Sequence, residues 1–318
     1  MPTLQNMFRF DPDLTAIVAA FKEGDGLDQA LQLAPIVRPP RSFKYPTYAA
    51  GAIYAADSDI RAPGDPKVKV TTVPVQTLTT VFIPEHSRAG FVDIQTQDQP
   101  TAIQEYPENS IRARIKLISK FLNQRMLYEI ATLAQTASYK ATPTTKWNAS
   151  GADPEWDIKT ACEAFVKKSG VEPNIIAFAS NVVPWCSKGL RATYGINAPM
   201  PNVQILTDFL TKDLNLGGLG AKPIFLPSFY NDGTNFVNLF GDSVFLANVQ
   251  ANPTAVDPTD WLPSFLNTAI PKETPADIFV MPPKLNDMET AWICKVTRYY
   301  IPVMPVDAAG YMIYTTLG

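Results

Sequence analysis

Any reaction carried by this chain would have to run through very few side chains. His86, in Pro84-Glu85-His86-Ser87-Arg88, is the single histidine in 318 residues. A Ser–His–Asp or Cys–His relay would need it as its base, and a metal site built on several imidazoles is ruled out. It follows an apolar, strand-like run, so it is expected in an exposed surface turn. Cys162, Cys186 and Cys294 are far apart and form no C-x-x-C pair. That removes zinc-ribbon and dithiol chemistry and leaves three small core residues, as expected in a reducing compartment. The run GGLGAK, ending at Lys222, is followed by Pro223 where a phosphate loop needs Ser or Thr. It also follows a helical pattern instead of a strand, and reads as a helix stop. Asp57, Asp59 and Asp65, with Arg61 among them, are acidic enough to attract calcium, yet the EF-hand spacing is missing. They read as a solvated hairpin tip. Asn148-Ala149-Ser150 matches a glycosylation acceptor, which means nothing without a secretory signal. No cofactor and no metal is expected.

The strongest electrostatic feature is a basic run. Arg112, Arg114, Lys116, Lys120 and Arg125 occur with no acid before Glu129. Neighbouring segments can supply the acids for a solvated face. Alternatively, the run faces a polyanion such as packaged DNA, touched through its phosphates without reading sequence. The net charge of −3 argues against a dedicated nucleic-acid binder.

These residues need elements to hold them. A short helix is expected around Pro12–Glu23, with Asp11 as N-cap. The proline-rich LAPIVRPPRSF after it must be extended, with few internal partners, an arm more than a core element. Residues 43–83 read as a long two-stranded ribbon turning at Pro63-Gly64-Asp65-Pro66. Such a ribbon is marginal alone in water and needs a surface to lie on. Residues 107–138 give the clearest helix. Ile111, Ile115, Ile118, Leu122, Met126 or Leu127, Ile130 and Leu133 recur at three- and four-residue spacing. At ~1.5 Å per residue it is a beam roughly 45 Å long.

Asp153 and Pro154 open a second helix that Gly170 closes. IIAFA then reads as a buried strand, with Ser180 or Asn181 capping the next helix. Another helix is expected at Asn202–Asn215, and short strands at 223–226, 236–240 and 243–249. Residues 250–290, irregular and rich in proline, read as a long surface loop. Two strands close the chain. Apolar residues make up 46% and charged residues 18%, with 29 prolines, a balance that suits extended segments covered by other subunits. No secretory signal and no apolar run long enough for a bilayer is visible, so a cytoplasm, or something assembled there, is the expected setting.

Four stretches, in order, resemble the tailed-bacteriophage major capsid proteins. KYPTYAAGAIYAADSDIRAPGD is similar to their extended loop. FIPEHSRAGFVDIQ, then QRMLYEIATLA, is similar to the run into their spine helix. KWNASGADPEWDIKTACEAFVKKSGVEPNIIAFASNVVPWC resembles their passage into the axial domain, and FVNLFGDSVFLANV a later strand pair. The resemblance implies an α+β, Hong Kong 97-like capsid fold. Its parts would be an N-terminal arm (1–42), an extended loop (43–83) and a peripheral domain (84–172) with the spine helix at about 107–138. An axial domain (173–290) would follow, then closing strands (291–318) returning to the peripheral domain. It implies a structural protein, not an enzyme, whose pentamers and hexamers tile an icosahedral shell around double-stranded DNA. The basic run would then be an inner-face DNA contact, and Asp57, Asp59, Arg61 and Asp65 an inter-subunit loop tip. Implied partners are copies of the chain, a separate scaffolding protein, a portal, a decoration protein and non-specifically bound DNA, with no membrane. The place would be the virion, assembled in the host cytoplasm. No constellation specific to isopeptide crosslinks stands out. An encapsulin-like compartment shares the implied fold, and a soluble cytoplasmic hydrolase using His86 is the reading from another class.

Overall fold

Two sheets joined by one long helix organise the chain. The computed structural model describes residues 14–15, 26–48, 75–93, 107–195, 201–209, 222–227, 229–231, 236–250, 264–274, 276–286, 291–314 and 316–318. The elements in chain order are α1 (Leu27–Leu33), β1 (Ile36–Val37), β2 (Ser42–Tyr48), β3 (Val75–Phe82), β4 (Glu85–Asp93), α2 (Pro107–Gln135), β5 (Lys140–Ala141), α3 (Pro154–Ser169), β6 (Ile175–Ala179), α4 (Val183–Tyr194), α5 (Asn202–Asp208), β7 (Lys222–Leu226), β8 (Phe229–Asn231), β9 (Phe236–Asn238), β10 (Val244–Ala247), β11 (Asn267–Ala269), β12 (Ile278–Leu285), β13 (Ala291–Tyr299), β14 (Ile301–Val303) and β15 (Gly310–Ile313).

The helix α2 runs for 29 residues where its apolar spacing predicts it. Its first half buries Ile115, Ile118 and Leu122 against Val92, Val280, Cys294 and Val296 of a sheet ordered β12-β13-β4. Its second half buries Met126, Leu127, Ile130, Ala131 and Ala134 in the main core. One helix therefore ties two cores together.

The main core surrounds a five-stranded sheet ordered β5-β15-β10-β6-β7. β6 pairs antiparallel with β10 and parallel with β7. Its IIAFA sequence carries no polar side chain because the strand is buried among its neighbours. α3 starts as expected. The Asp153 carboxylate accepts the Trp156 N–H at 3.0 Å, Pro154 takes the first turn, and Gly170 at φ 71 ends the helix.

Several expectations are corrected. The segment 34–42, read as extended with few internal partners, is docked. α1 buries Leu27, Ala30 and Leu33 in the main core, Ala34 just after it is buried there too, and β1 pairs in parallel with β11. The Ile270 and Lys272 N–H groups bond the Val37 and Pro39 carbonyls, both at 2.9 Å, and Arg38 ion-pairs with Asp277. The strand edge it uses comes from residues more than two hundred positions away. Those residues were read as part of a surface loop, yet Phe265, Leu266, Ala269 and Ile270 are core residues and β12 is a full strand. Its prolines, Pro282 and Pro283, lie where the register shifts between Met281 and Lys284, on an edge strand where a missing N–H costs little.

Neither Ser180 nor Asn181 caps α4. The N-cap is Val182, without a side-chain bond, and Pro184 in the first turn removes one N–H that would need a partner. Asn181 instead donates to the Asp242 carboxylate, which also takes the Asn238 amide at 3.2 Å. The corner at Ser180 and Asn181 is a clamp between β6 and the turn before β10. The closing strands also divide. β13 pairs with β4 and β12, β14 pairs with β11, and β15 enters the main sheet between β5 and β10. The expected helix at 12–23 is described only at Leu14 and Thr15, and that at 202–215 only as far as Phe209.

Candidate assembly surfaces

The ribbon is described at its root. β2 and β3 pair antiparallel from Ser42↔Phe82 to Thr47↔Thr77, and the hydroxyls of Thr47 and Thr77 bond across the strands. Phe43 and Ile83 pin this root into a small core with Val37, Phe279, Tyr299 and Val303. The Arg41 guanidinium lies over both Phe82 (4.9 Å) and Tyr299 (4.7 Å), a favourable cation–π position. Yet Leu78 and Phe82 remain 61% and 59% exposed. The loop-tip residues Asp57, Asp59, Arg61 and Asp65 lie outside the described residues.

A second uncovered apolar surface lies on β4 and α2. Among the described residues, β4 pairs only with β13 in its sheet and lies at its edge. An open edge of this kind offers unpaired backbone groups to another strand. Phe91 on β4 is 60% exposed, and Leu117, Phe121 and Tyr128 of α2 are also exposed. Arg88 of β4 lies over Phe121 at 4.6 Å, linking the two elements. Sequence reasoning missed this stripe. Its signal was present, since residues 117, 121 and 128 repeat at four and seven positions, off the buried stripe.

All five basic residues of α2 are exposed, though not together. At ~100° per residue, Arg112, Lys116 and Lys120 share an arc of about 80°, and Arg114 and Arg125 lie on another side. Arg114 carbons stand so close to Gly90 that a Cβ there would come within 2.9 Å of them, and Arg125 bonds Glu129 at 3.0 Å.

His86 is not in a surface turn. It lies within β4, opposite Arg298 in the ladder, half-buried, with its ring stacked on Tyr300 at 4.2 Å between centroids. Its Nε2 bonds none of the described residues, so no described serine or cysteine is linked to it. The sequence placed it in a turn because Pro84 breaks the apolar run just before it. The three cysteines are buried and unpaired. Burial pushes the Cys162 thiol up to about 12, and burial likewise raises Cys186 and Cys294. A thiolate nucleophile is therefore disfavoured at each position. A cavity of about 290 Å³ lies between Trp147–Ala152 and Lys188, Gly189 and Ala192. Its lysine sits 5.4 Å from the Trp185 ring, and the Asn148 amide bonds the Gly318 carbonyl at 2.9 Å. The lining holds no acid–base pair. Among the described residues no helix is long and apolar enough to cross a membrane.

No family model matches the chain, and no curated protein is similar to it in sequence at a significant level. Solved structures are similar over nearly its whole length. A phage-related protein from Bordetella bronchiseptica RB50 superposes with a TM-score of 0.69 at 18% identity, covering 97% of this chain and 98% of that one. The putative capsid protein of an Escherichia coli CFT073 prophage superposes with a TM-score of 0.52 at 10% identity, covering 95% and 97%. The capsid of Myoviridae phage XM1 gives 0.52 at 11% identity, covering 89% and 90%. The chain has the fold of phage and prophage capsid proteins. A virus-like particle from Pyrococcus furiosus has it too, with a TM-score of 0.51 at 12% identity, covering 95% and 97%.

Proposed function

We propose that this chain is the major capsid protein of a tailed bacteriophage. On this reading it is a Hong Kong 97-like subunit whose pentamers and hexamers close into an icosahedral shell around double-stranded DNA. One observation carries the reading. Within a capsid fold that spans almost the whole chain, the ribbon root and the β4–α2 face both leave large apolar side chains uncovered. Patches of this kind mark interaction sites. A heterologous contact, in which the ribbon of one copy covers the β4–α2 face of the next, would satisfy both at once and close into rings. Stable contacts of this sort bury ~1,200–2,000 Å², and many of them acting together make the shell durable. A scaffolding protein, a portal and a decoration protein would be separate chains.

The test is deletion of residues 49–66 from the full-length protein. The expected product is a folded subunit, with far-UV circular dichroism close to the parent, that forms no closed particles by electron microscopy. Normal particles from the deletion would overturn the reading. The same preparation of parent particles separates a capsid from a compartment, because double-stranded DNA inside supports the first and a protein cargo the second.

A further inference from the structure

His86 and its neighbours make an unusual junction where the ribbon root meets the long helix. Ile83 and Pro84 alone separate β3, the returning limb of the ribbon, from β4, and His86 is the second residue of β4. Its ring packs on Tyr300, while Arg298, its partner across the ladder, is 0% exposed. The Arg298 guanidinium donates one bond, from Nη1 to the Asn123 Oδ1 of α2 at 2.6 Å. Its Nε and Nη2 and the His86 Nε2 are buried and bond none of the described residues. On α2, Arg125 and Glu129 act on the imidazole. Arg125 repels a proton there, and Glu129 attracts one, but its carboxylate is already bonded to Arg125 at 3.0 Å. From the β13 side come Arg298, which repels a proton, and Tyr300, whose backbone bonds the imidazole.

We propose that His86 is an acid-sensitive latch: while its imidazole is neutral it holds the ribbon root against α2, and a proton there loosens β4. The physical cause is local. A protonated ring would be a second cation beside a fully buried guanidinium whose described hydrogen bond goes to a neutral amide, with Asp277 and Asp28 acting on it only through space, and burying a charge without a bonded counter-ion is costly. Burial chiefly, with Arg125 and Arg298, outweighs Glu129 and the backbone bond to Tyr300 and holds the imidazole below its ordinary 6.5. The sign follows. A base held down in the folded state contributes stability that is complete above about 6.5, the unfolded value, and is lost as the pH falls towards the folded one. With a single histidine in the chain, any histidine titration belongs to this site.

The experiment uses the full-length protein. Hydrogen–deuterium exchange, corrected for its intrinsic pH dependence, is followed from pH 7.5 to 5.0 over residues 85–93, with β6 as internal control. The opening constant of β4 is expected to rise below about pH 6.5, by up to about tenfold per pH unit for one proton, while β6 stays level. His86→Phe keeps the stack on Tyr300 and removes the proton site, so its β4 exchange should not change with pH. His86→Gln serves the same purpose should the phenylalanine variant not fold. The histidine Cε1–H resonance of the unmutated protein gives a readout that needs no variant, and its midpoint should lie below 6.5. A level profile in the parent, the same rise in the variants, or a midpoint at or above 6.5 would each overturn the latch.

Discussion

Gly310→Ala tests the most consequential correction, that residues 264–271 belong to the core. Gly310 opens β15, pairs opposite Ala247, and has φ −128, a conformation open to any residue. The cost of a side chain there is therefore one of space. A Cβ would stand 2.2, 2.3 and 2.6 Å from the Cε2, Cδ2 and Cζ atoms of Phe265. Ordinary carbon contacts are ~3.5–4.0 Å, so the ring edge must retreat by more than ~1 Å. Phe265 is 0% exposed, and its backbone N–H is bonded to the Asn248 carbonyl at 2.9 Å. A close-packed interior offers the ring nowhere to go. Overpacking of this kind costs about 1–3 kcal/mol, and so hard a clash belongs at the upper end. Equilibrium urea unfolding followed by far-UV circular dichroism reads the loss. Phe265→Leu in the alanine background should cost about 1 kcal/mol less than in the parent, the coupling expected of residues in contact. A loss for Gly310→Ala below about 0.5 kcal/mol, with no coupling, would refute the placement of Phe265 on β15.

Four further outcomes are expected. Arg298→Met should be close to neutral or stabilising in the same unfolding assay, because it removes a buried charge. Asn123→Ala should cost about 1.5–3 kcal/mol by stripping the guanidinium of its one described hydrogen-bond partner; a large loss from Arg298→Met would show the charge to be well paired. On the capsid reading proposed above, replacing Arg112, Lys116 and Lys120 with Gln should flatten the salt dependence of double-stranded DNA binding, by up to ~2.7 in the slope of log K against log salt. Replacing Arg114 and Arg125, which lie on another side of the helix, should leave that slope unchanged, and equal effects of the two sets would refute this division of the helix.

Local features were legible without coordinates wherever neighbours in sequence decide the outcome. The long helix follows from the spacing of Ile115, Ile118, Leu122, Met126 and Ile130, which places them on one stripe. The limits of α3 follow from Asp153 and Gly170, whose capping needs only the adjacent backbone. IIAFA could only be a buried strand, and the two limbs of the ribbon were visible from their turn chemistry. What escaped depended on partners distant in the chain. Proline marks where an N–H is missing without saying whether an edge is waiting, so LAPIVRPPRSF looked like an arm and 250–290 like a surface loop until β1, β11, β12 and β14 were seen to pair. Asn181 had two suitable ways to satisfy its amide, and Asp242, sixty-one residues on, decided between them. His86 looked exposed because exposure belongs to the assembled surface, and only the arrival of Tyr300 and Arg298 beside it made it an interior group. The arc that separates Arg112, Lys116 and Lys120 from Arg114 and Arg125 could be computed from the helix alone. The contacts of Arg114 with Gly90 required β4 to lie across α2, and that crossing is set by side-chain packing, which no run of neighbouring residues encodes.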